Sequence, residues 1–493
     1  MGTSWRVGDA KGHFMKPNII DIIRSETASR RKNTALVEGE HHLTYDELLA
    51  AVDQAAKALS RVGMKSFDRV ALLYEDGIDY IILSLAVLSS RAVLVPISPS
   101  LSFDEIDPVL ERMDVAWLIY DGKTLSRDSS RPVHCSRLCG GKTYVSARKA
   151  RNDVDPDFYR CNPAFIRFSS GTTGASKGVV LSHESIVERT DAADKVLKIT
   201  SEDVVIWVLS MSYHFVVTIL LFLRRAATIV LCTGAFPESL NEGLVRHKGT
   251  FLYATPFHYH IMTSSELFSV DSLSCVRLAV TTAMKQPVSG VRDFQRKFGL
   301  ELTEAYGIIE VGLPFINNSA DIAKHGSVGR ILPDYLLKIV NANDEGIGEV
   351  HLKGKGIFDA YFSPWQTRDQ VVTDGWFDTG DLGKIDEEGF LYLVGREKEI
   401  INFAGMKIFP YEVESVLNQH PDIKESLVYG VAHPQYGELP CAKIVLQEAI
   451  QGEVDSNEIR KYCYKLLPSY KVPKEVHFVY ELDRTPSGKL LRW

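Results

Sequence analysis

The chain has 493 residues, 45% apolar and 24% charged, which is ordinary for a globular protein with core enough for more than one domain. Its net charge of −7, with Lys and Arg spread along the sequence, argues against nucleic acid as an obligatory partner. Seven cysteines without paired spacing indicate reduced thiols, and no run approaches the ~20 apolar residues of a membrane span. The N-terminus is polar, without a signal peptide's apolar segment, and Arg6 stands where N-myristoylation needs Ser or Thr, so a soluble cytoplasmic enzyme is expected.

In chain order, Thr44, Tyr45, Asp46 and Glu47 form a capping box. It opens a helix whose apolar face recurs at Leu48, Val52, Ala55, Ala56 and Leu59. A strand over 70–74, a helix near 80–89 and a strand over 93–97 follow. A second capping box, Ser102 to Glu105, starts another helix, and a strand is expected over 115–120. This is βαβ grammar, the mark of parallel sheet covered by helices. Residues 121–157 are polar and basic with little periodicity and are expected to form a long exposed connection. Strand–helix alternation resumes over 164–340, and glycine-rich β segments follow over 346–390. A strand over 391–394 leads to a boundary near 395–398. The remainder reads as a small α+β unit, with helices over 412–419 and 456–466 and strands over 426–429 and 442–446.

Between Phe168 and Gly178 the chain reads F-S-S-G-T-T-G-A-S-K-G, flanked by apolar runs expected as short buried strands over 164–168 and 179–181. Converging backbone N–H groups, hydroxyls and one ammonium make a phosphate cradle in chemical terms. It is not a P-loop, which would need Gly at Ser176 and a hydroxyl residue at Gly178. Four further polar clusters follow: Tyr306-Gly307-Ile308-Ile309-Glu310, the run 374–381 with three Asp among aromatics and glycines, Gly395-Arg396-Glu397-Lys398, and Thr485-Pro486-Ser487-Gly488-Lys489. Singly, each also fits turn chemistry, a solvated charge cluster or a frayed tail.

Taken in order and register, these motifs resemble the AMP-forming adenylating superfamily of acyl- and aryl-CoA synthetases, peptide-synthetase adenylation domains and beetle luciferases. The resemblance covers about residues 15 to 493. It implies an α/β fold: a large N-terminal domain (1–396) of packed α/β subdomains with a β-barrel-like part, and a small mobile α+β C-terminal lid (397–493). It gives Ser169, Ser170, Gly171, Thr172, Thr173, Gly174 and Lys177 to the β/γ-phosphates of ATP, and Glu310 to Mg²⁺. Tyr306 would lie against adenine, with Thr282, Ala283, Met284, Ala305, Gly307 and Ile309 also lining the nucleotide. Asp381 and Arg396 would hold the ribose. Lys489 would reach the substrate carboxylate and the α-phosphate. Catalysis would rest on Lys489, Glu310, Thr173 and His214. Lys398 occupies the hinge position, and the segment 402–406 would face the thiol's tunnel in a second lid orientation.

The chain departs from the family pattern at several points. Ala305 and Ile309 replace the usual Gly and Thr beside the magnesium ligand, and Ile309 cannot donate to the α-phosphate, a loss of about 1.5–3 kcal/mol of binding. Thr281, Thr282, Ala283 and Met284 replace a Gly-Gly-Ala/Glu-Pro loop, which narrows the acyl pocket, and Ala404 replaces one tunnel glycine. The pocket stretch 209–216, with Tyr213, His214 and Phe215, has no Asp or Glu to pair with an ammonium. Together with Thr281 and Gly312 it points to an aromatic or short to medium aliphatic acid rather than an amino acid. The chain stops four residues after Lys489, so the acyl acceptor is expected to be CoA or the phosphopantetheine of a separate carrier protein. Expected partners are thus the acid and that acceptor, in a monomer or homodimer with no nucleic acid. A luciferase-like oxidation would need an oxygen-reactive substrate, and a non-catalytic nucleotide- or acyl-binding protein would not need Lys489.

Overall fold

The computed structural model describes residues 7–8, 14–122, 135–138, 143–150, 154–168, 177–447, 454–484 and 490–491. The chain forms two compact units, one of Met1–Leu336 with Lys353–Gly375 and the other of Leu337–Leu352 with Trp376–Trp493. Both capping boxes are present, on the helices Tyr45–Arg61 and Phe103–Arg112. Among the described residues, no helix is long and apolar enough to cross a membrane.

The first unit holds two sheets. One runs, in spatial order, Gln366–Thr367, Ala360–Tyr361, Gly178–Ser182, Pro163–Phe168, Val93–Ile97, Arg69–Leu73, Trp117–Asp121, Thr143–Ala147 and Cys135–Leu138. Its centre is parallel, as the βαβ reading requires. Central strands are buried on both faces, so they read as unbroken apolar runs such as 70–73 and Val93–Ile97. The other sheet carries Leu302–Ile308, Leu278–Thr281, Phe251–Ala254, Val204–Trp207, Thr228–Leu231 and Thr34–Glu38 side by side in parallel. Its core includes Ile206, Leu252, Tyr259 and Phe294.

One expectation is corrected. Within 121–157, the strand Thr143–Ala147 pairs antiparallel with Trp117–Asp121, and Cys135–Leu138 pairs antiparallel with Thr143–Ala147 at the sheet's edge. Thr143 and Val145 are buried while Tyr144 and Ser146 are half-buried, so a short alternation was present inside a polar stretch. The edge of Trp117–Asp121, with backbone groups to satisfy, selects it.

In the second unit, Gly348–Gly354, Phe377–Ile385 and Phe390–Arg396 run antiparallel. A further sheet orders Met406–Ile408, Ile401–Phe403, Gly437–Leu446 and Ile423–His433, with Glu475–Phe478 parallel to Gly437–Leu446. The helices Pro410–Leu417 and Ser456–Leu466 supply Val413, Leu417, Ile459 and Cys463 to one core with Ile401, Val428 and Ile444.

Candidate active site

The strands that flank the glycine loop, Pro163–Phe168 and Gly178–Ser182, pair antiparallel, in register Phe168 to Gly178. Gly178 is required by close approach: a Cβ there would lie 2.5 Å from the Met113 sulfur and 2.9 Å from Ile166 Cγ2. Ser169, Ser170, Gly171, Thr172, Thr173 and Gly174 lie outside the described residues, as does Lys489. Lys177 is described, and its Nζ stands 4.5 Å from the centroid of the Tyr361 ring. Tyr361 reaches this position because Ala360–Tyr361 pairs with the strand that follows the loop. Asp359 ties the same strand down, its Oδ2 accepting from Ser182 N–H and Ser185 Oγ at 2.6 Å each.

Glu310 lies at the turn between Leu302–Ile308 and Gly312–Asn317. The Tyr361 hydroxyl stands 3.5 Å from its Oε1, so Lys177, Tyr361 and Glu310 form one cluster. Burial first, and the Glu310 charge second, push the Tyr361 phenol well above its ordinary range. It therefore remains a neutral donor beside the carboxylate. The backbone of the Glu310 turn is fixed by Phe358 N–H, which donates to the Glu310 carbonyl at 2.7 Å. It is also fixed by Arg189, wholly buried on the helix His183–Leu197. Arg189 Nη1 donates to the Ile309 carbonyl at 3.0 Å, while Nε and Nη2 donate to the Gly356 carbonyl at 3.0 and 2.5 Å. Burial draws the Arg189 pKa down to about 10, against the pull of Tyr335, Asp359 and Glu310, and it stays charged. Gly356 has φ +71°, and a Cβ there would meet Arg189 backbone N at 2.7 Å.

The remaining residues of the first unit fall around these hairpins. Tyr306 is half-buried and its ring is 5.9 Å from that of Phe315. Gly307 is exposed and Ile309 half-buried. Thr282 Oγ1 donates to the Ala305 carbonyl at 3.3 Å, which joins two elements read separately in the sequence. Ala283 adopts φ +72°, a left-handed conformation that a side chain resists by about 1 kcal/mol, and it turns the chain toward Met284. Thr281 is fully buried and bonded to Gln286 at 3.1 Å; Gly312 is packed against Arg189 and Tyr335.

The pocket stretch forms a helical turn, Met211–His214, that runs into a π-helical segment, Phe215–Ile219. Such segments are frequent at functional sites. Tyr213 and His214 are half-buried, and Phe215 packs edge-on against Tyr80 at 5.9 Å. Arg167 donates to the Tyr213 carbonyl at 2.6 Å and its guanidinium lies 5.2 Å from the Tyr213 ring centroid.

A carboxylate does reach this stretch, from a distant turn. Asp76 Oδ1 accepts from Met211 N–H at 2.9 Å. Burial pushes the Asp76 pKa up to about 6 from 3.8, with the Met211 hydrogen bond opposing. The folded chain then holds a proton between pH 4 and 6 that the unfolded chain has released. Stability therefore falls as pH rises through that window, and above it the cost is complete, at about 2–3 kcal/mol. Asp76→Asn keeps the acceptor for Met211 and removes the charge. It is expected to be about 2 kcal/mol more stable than the parent in urea unfolding at pH 8 and equal to it near pH 4. A gap of the same size at both pH values would refute this.

In the second unit, Asp381 and Arg396 are register partners, and Arg396 Nε lies 2.9 Å from Asp381 Oδ1. Asp381 is buried, its N–H donating to Thr379 Oγ1 at 3.1 Å. Lys398 is exposed in the short 3₁₀ turn Glu397–Glu399. The segment 402–406 spans a hairpin whose turn residue Ala404, at φ +49°, donates its N–H to the Tyr436 carbonyl at 2.7 Å.

Tyr361, Arg189, Arg167 and Asp76 were not singled out in the sequence. The one signal for the first was its place between apolar residues in a run read as glycine-rich β segments.

Family models match the chain as an AMP-binding enzyme over residues 24–362 and as an AMP-binding enzyme C-terminal domain over residues 412–489. The chain is 27% identical to the mitochondrial medium-chain acyl-CoA ligase ACSF2 of Mus musculus over 100% of this chain and 89% of that protein. It is 29% identical to the probable CoA ligase CCL9 of Humulus lupulus, over 95% and 93% of the two chains. Among solved structures, ATP-bound MatB from Rhodopseudomonas palustris superposes with a TM-score of 0.84 at 24% identity, over 96% and 97% of the chains, a likeness of fold.

Proposed function

The chain belongs to the AMP-binding enzyme family, an AMP-forming ligase, and on that premise we propose that it joins an aromatic or short to medium aliphatic acid to CoA through an acyl-adenylate. The observation that carries this reading is the cluster of Lys177, Tyr361 and Glu310, which draws the phosphate hairpin and a carboxylate-bearing turn to one place.

In the first half-reaction the acid's carboxylate oxygen attacks the α-phosphorus, and the bond to the pyrophosphate oxygen breaks. Ser169, Ser170, Thr172, Thr173 and Lys177 hold the β/γ-phosphates as pyrophosphate departs. Lys489 offsets charge developing between carboxylate and α-phosphate. Asp381 accepts from the ribose hydroxyls; its buried carboxylate, held by Arg396, supports that role. Mg²⁺ neutralises phosphate charge when bound, and the Glu310 oxygen beside a neutral phenol suits a hard cation. In the second half-reaction the thiol attacks the acyl carbon, AMP leaves, and a thioester forms. Lys398 is the hinge between the two lid orientations, a role its exposure supports. His214 borders the acyl tunnel. The described cysteines are free thiols, which supports a cytoplasmic setting.

A pyrophosphate-release screen over carboxylic acids, with and without Mg²⁺ and with CoA or carrier protein as acceptor, tests the reading. Mg²⁺-dependent release with an aromatic or medium aliphatic acid, and thioester only with CoA, is expected. Thioester only on a carrier protein would move the acceptor. The enzymatic reading fails if no acid gives pyrophosphate or hydroxamate.

A further inference from the structure

We infer that Glu349, His351 and Asp378 form a binding site for a zinc-like divalent d-block cation, separate from the nucleotide machinery. Glu349 and His351 lie two residues apart on Gly348–Gly354, so both side chains leave the same face of the strand. Asp378, on Phe377–Ile385, is the register partner of His351. His351 Nε2 is 3.3 Å from Glu349 Oε2 and 3.9 Å from Asp378 Oδ1, and the three ligand atoms all lie within 4.8 Å of one another. Ligands about 2.0–2.2 Å from a tetrahedral ion stand roughly 3.3–3.6 Å apart. One edge is already of that length, and small side-chain rotations close the others.

The outer contacts hold the ligands in place. Asn341 Nδ2 donates to Glu349 Oε1 at 2.9 Å, which leaves Oε2 turned toward His351. Gly380 N–H donates to Asp378 Oδ1 at 2.8 Å, which fixes that carboxylate while leaving it a second lone pair. The side chains of His351 and Glu349 are 17% and 25% exposed and that of Asp378 is 49% exposed, so an ion enters from the Asp378 side. One imidazole with two carboxylates suits Zn²⁺, Co²⁺ or Ni²⁺, whereas Mg²⁺ takes an octahedral shell of oxygens. Lys407 lies in the field of Glu349 and opposes a dication, which favours modest affinity. The competing occupant is a proton on His351, which would leave the cluster a set of ion pairs.

Chelator-treated full-length protein in excess Mg²⁺ is titrated with Co²⁺ as a visible-absorption probe, and Zn²⁺ is used as competitor. The expected result is one Co²⁺ per chain with bands of nitrogen and oxygen ligation, displaced by Zn²⁺. Affinity should fall at least tenfold in His351→Ala and in Asp378→Asn, with melting in chelator unchanged. Binding equally tight in His351→Ala, thiolate charge-transfer bands, or no Co²⁺ bound would each overturn the site. If His351→Ala melts early in chelator, Glu349→Gln replaces it, with the same tenfold criterion.

Discussion

Replacing Lys489 with alanine is expected to lower pyrophosphate release from ATP and acid by about a hundred- to a thousandfold, or ~2.7–4 kcal/mol of barrier, the range for one preorganised donor facing developing charge. Thioester formation from supplied acyl-adenylate should stay close to the parent rate, because in the proposed mechanism the ammonium acts on the α-phosphate only in the first half-reaction. Single-turnover assays of each half-reaction separate the two. If both fall together, the lesion is in folding or thiol access; if adenylation persists, Lys489 does not have the role given to it.

Arg189→Ala is expected to cost about 3–4 kcal/mol of stability. Arg189 is wholly buried and spans two turns far apart in sequence, at Ile309 and Gly356. Truncation leaves both carbonyls short of a donor and removes a positive charge that faces Asp359 and Glu310. Arg189 is a positioning residue: the Ile309 carbonyl it holds belongs to the residue before Glu310. Among molecules that remain folded, the KM for MgATP should therefore rise more than kcat falls. Lysine should recover little, since one ammonium cannot fork between the two carbonyls. Urea unfolding and steady-state kinetics at low temperature check both parts. A variant as stable as the parent, with unchanged KM, would remove Arg189 from this role.

Much of this molecule was legible in local patterns. The capping boxes at Thr44 and Ser102, the strand 93–97 and the helix 456–466 each rest on rules that reach only a few residues along the chain. The carboxylate of Glu310, and Asp381 and Arg396 as separate site candidates, were also picked out because each sits in a short motif, whereas the contact between Asp381 and Arg396 comes from strand register. The strands at 135–147 were missed because a polar segment takes up β structure only when an edge is there to pair with. Asp76 was missed because a search of 209–216 does not see a carboxylate 135 residues away.

The sequence alone therefore determined which chemical groups this protein has and the order in which they occur, since spacing within a motif is a property of the chain. Only the tertiary structure decided which groups meet. Tyr361 comes between Lys177 and Glu310 through pairing of a two-residue strand. Arg189 clamps carbonyls 120 and 167 residues downstream. Glu349 and His351 acquire Asp378 through strand register. Each of these contacts depends on sheet order and burial, which are set by the sum of many weak packing terms and leave no short pattern in the sequence.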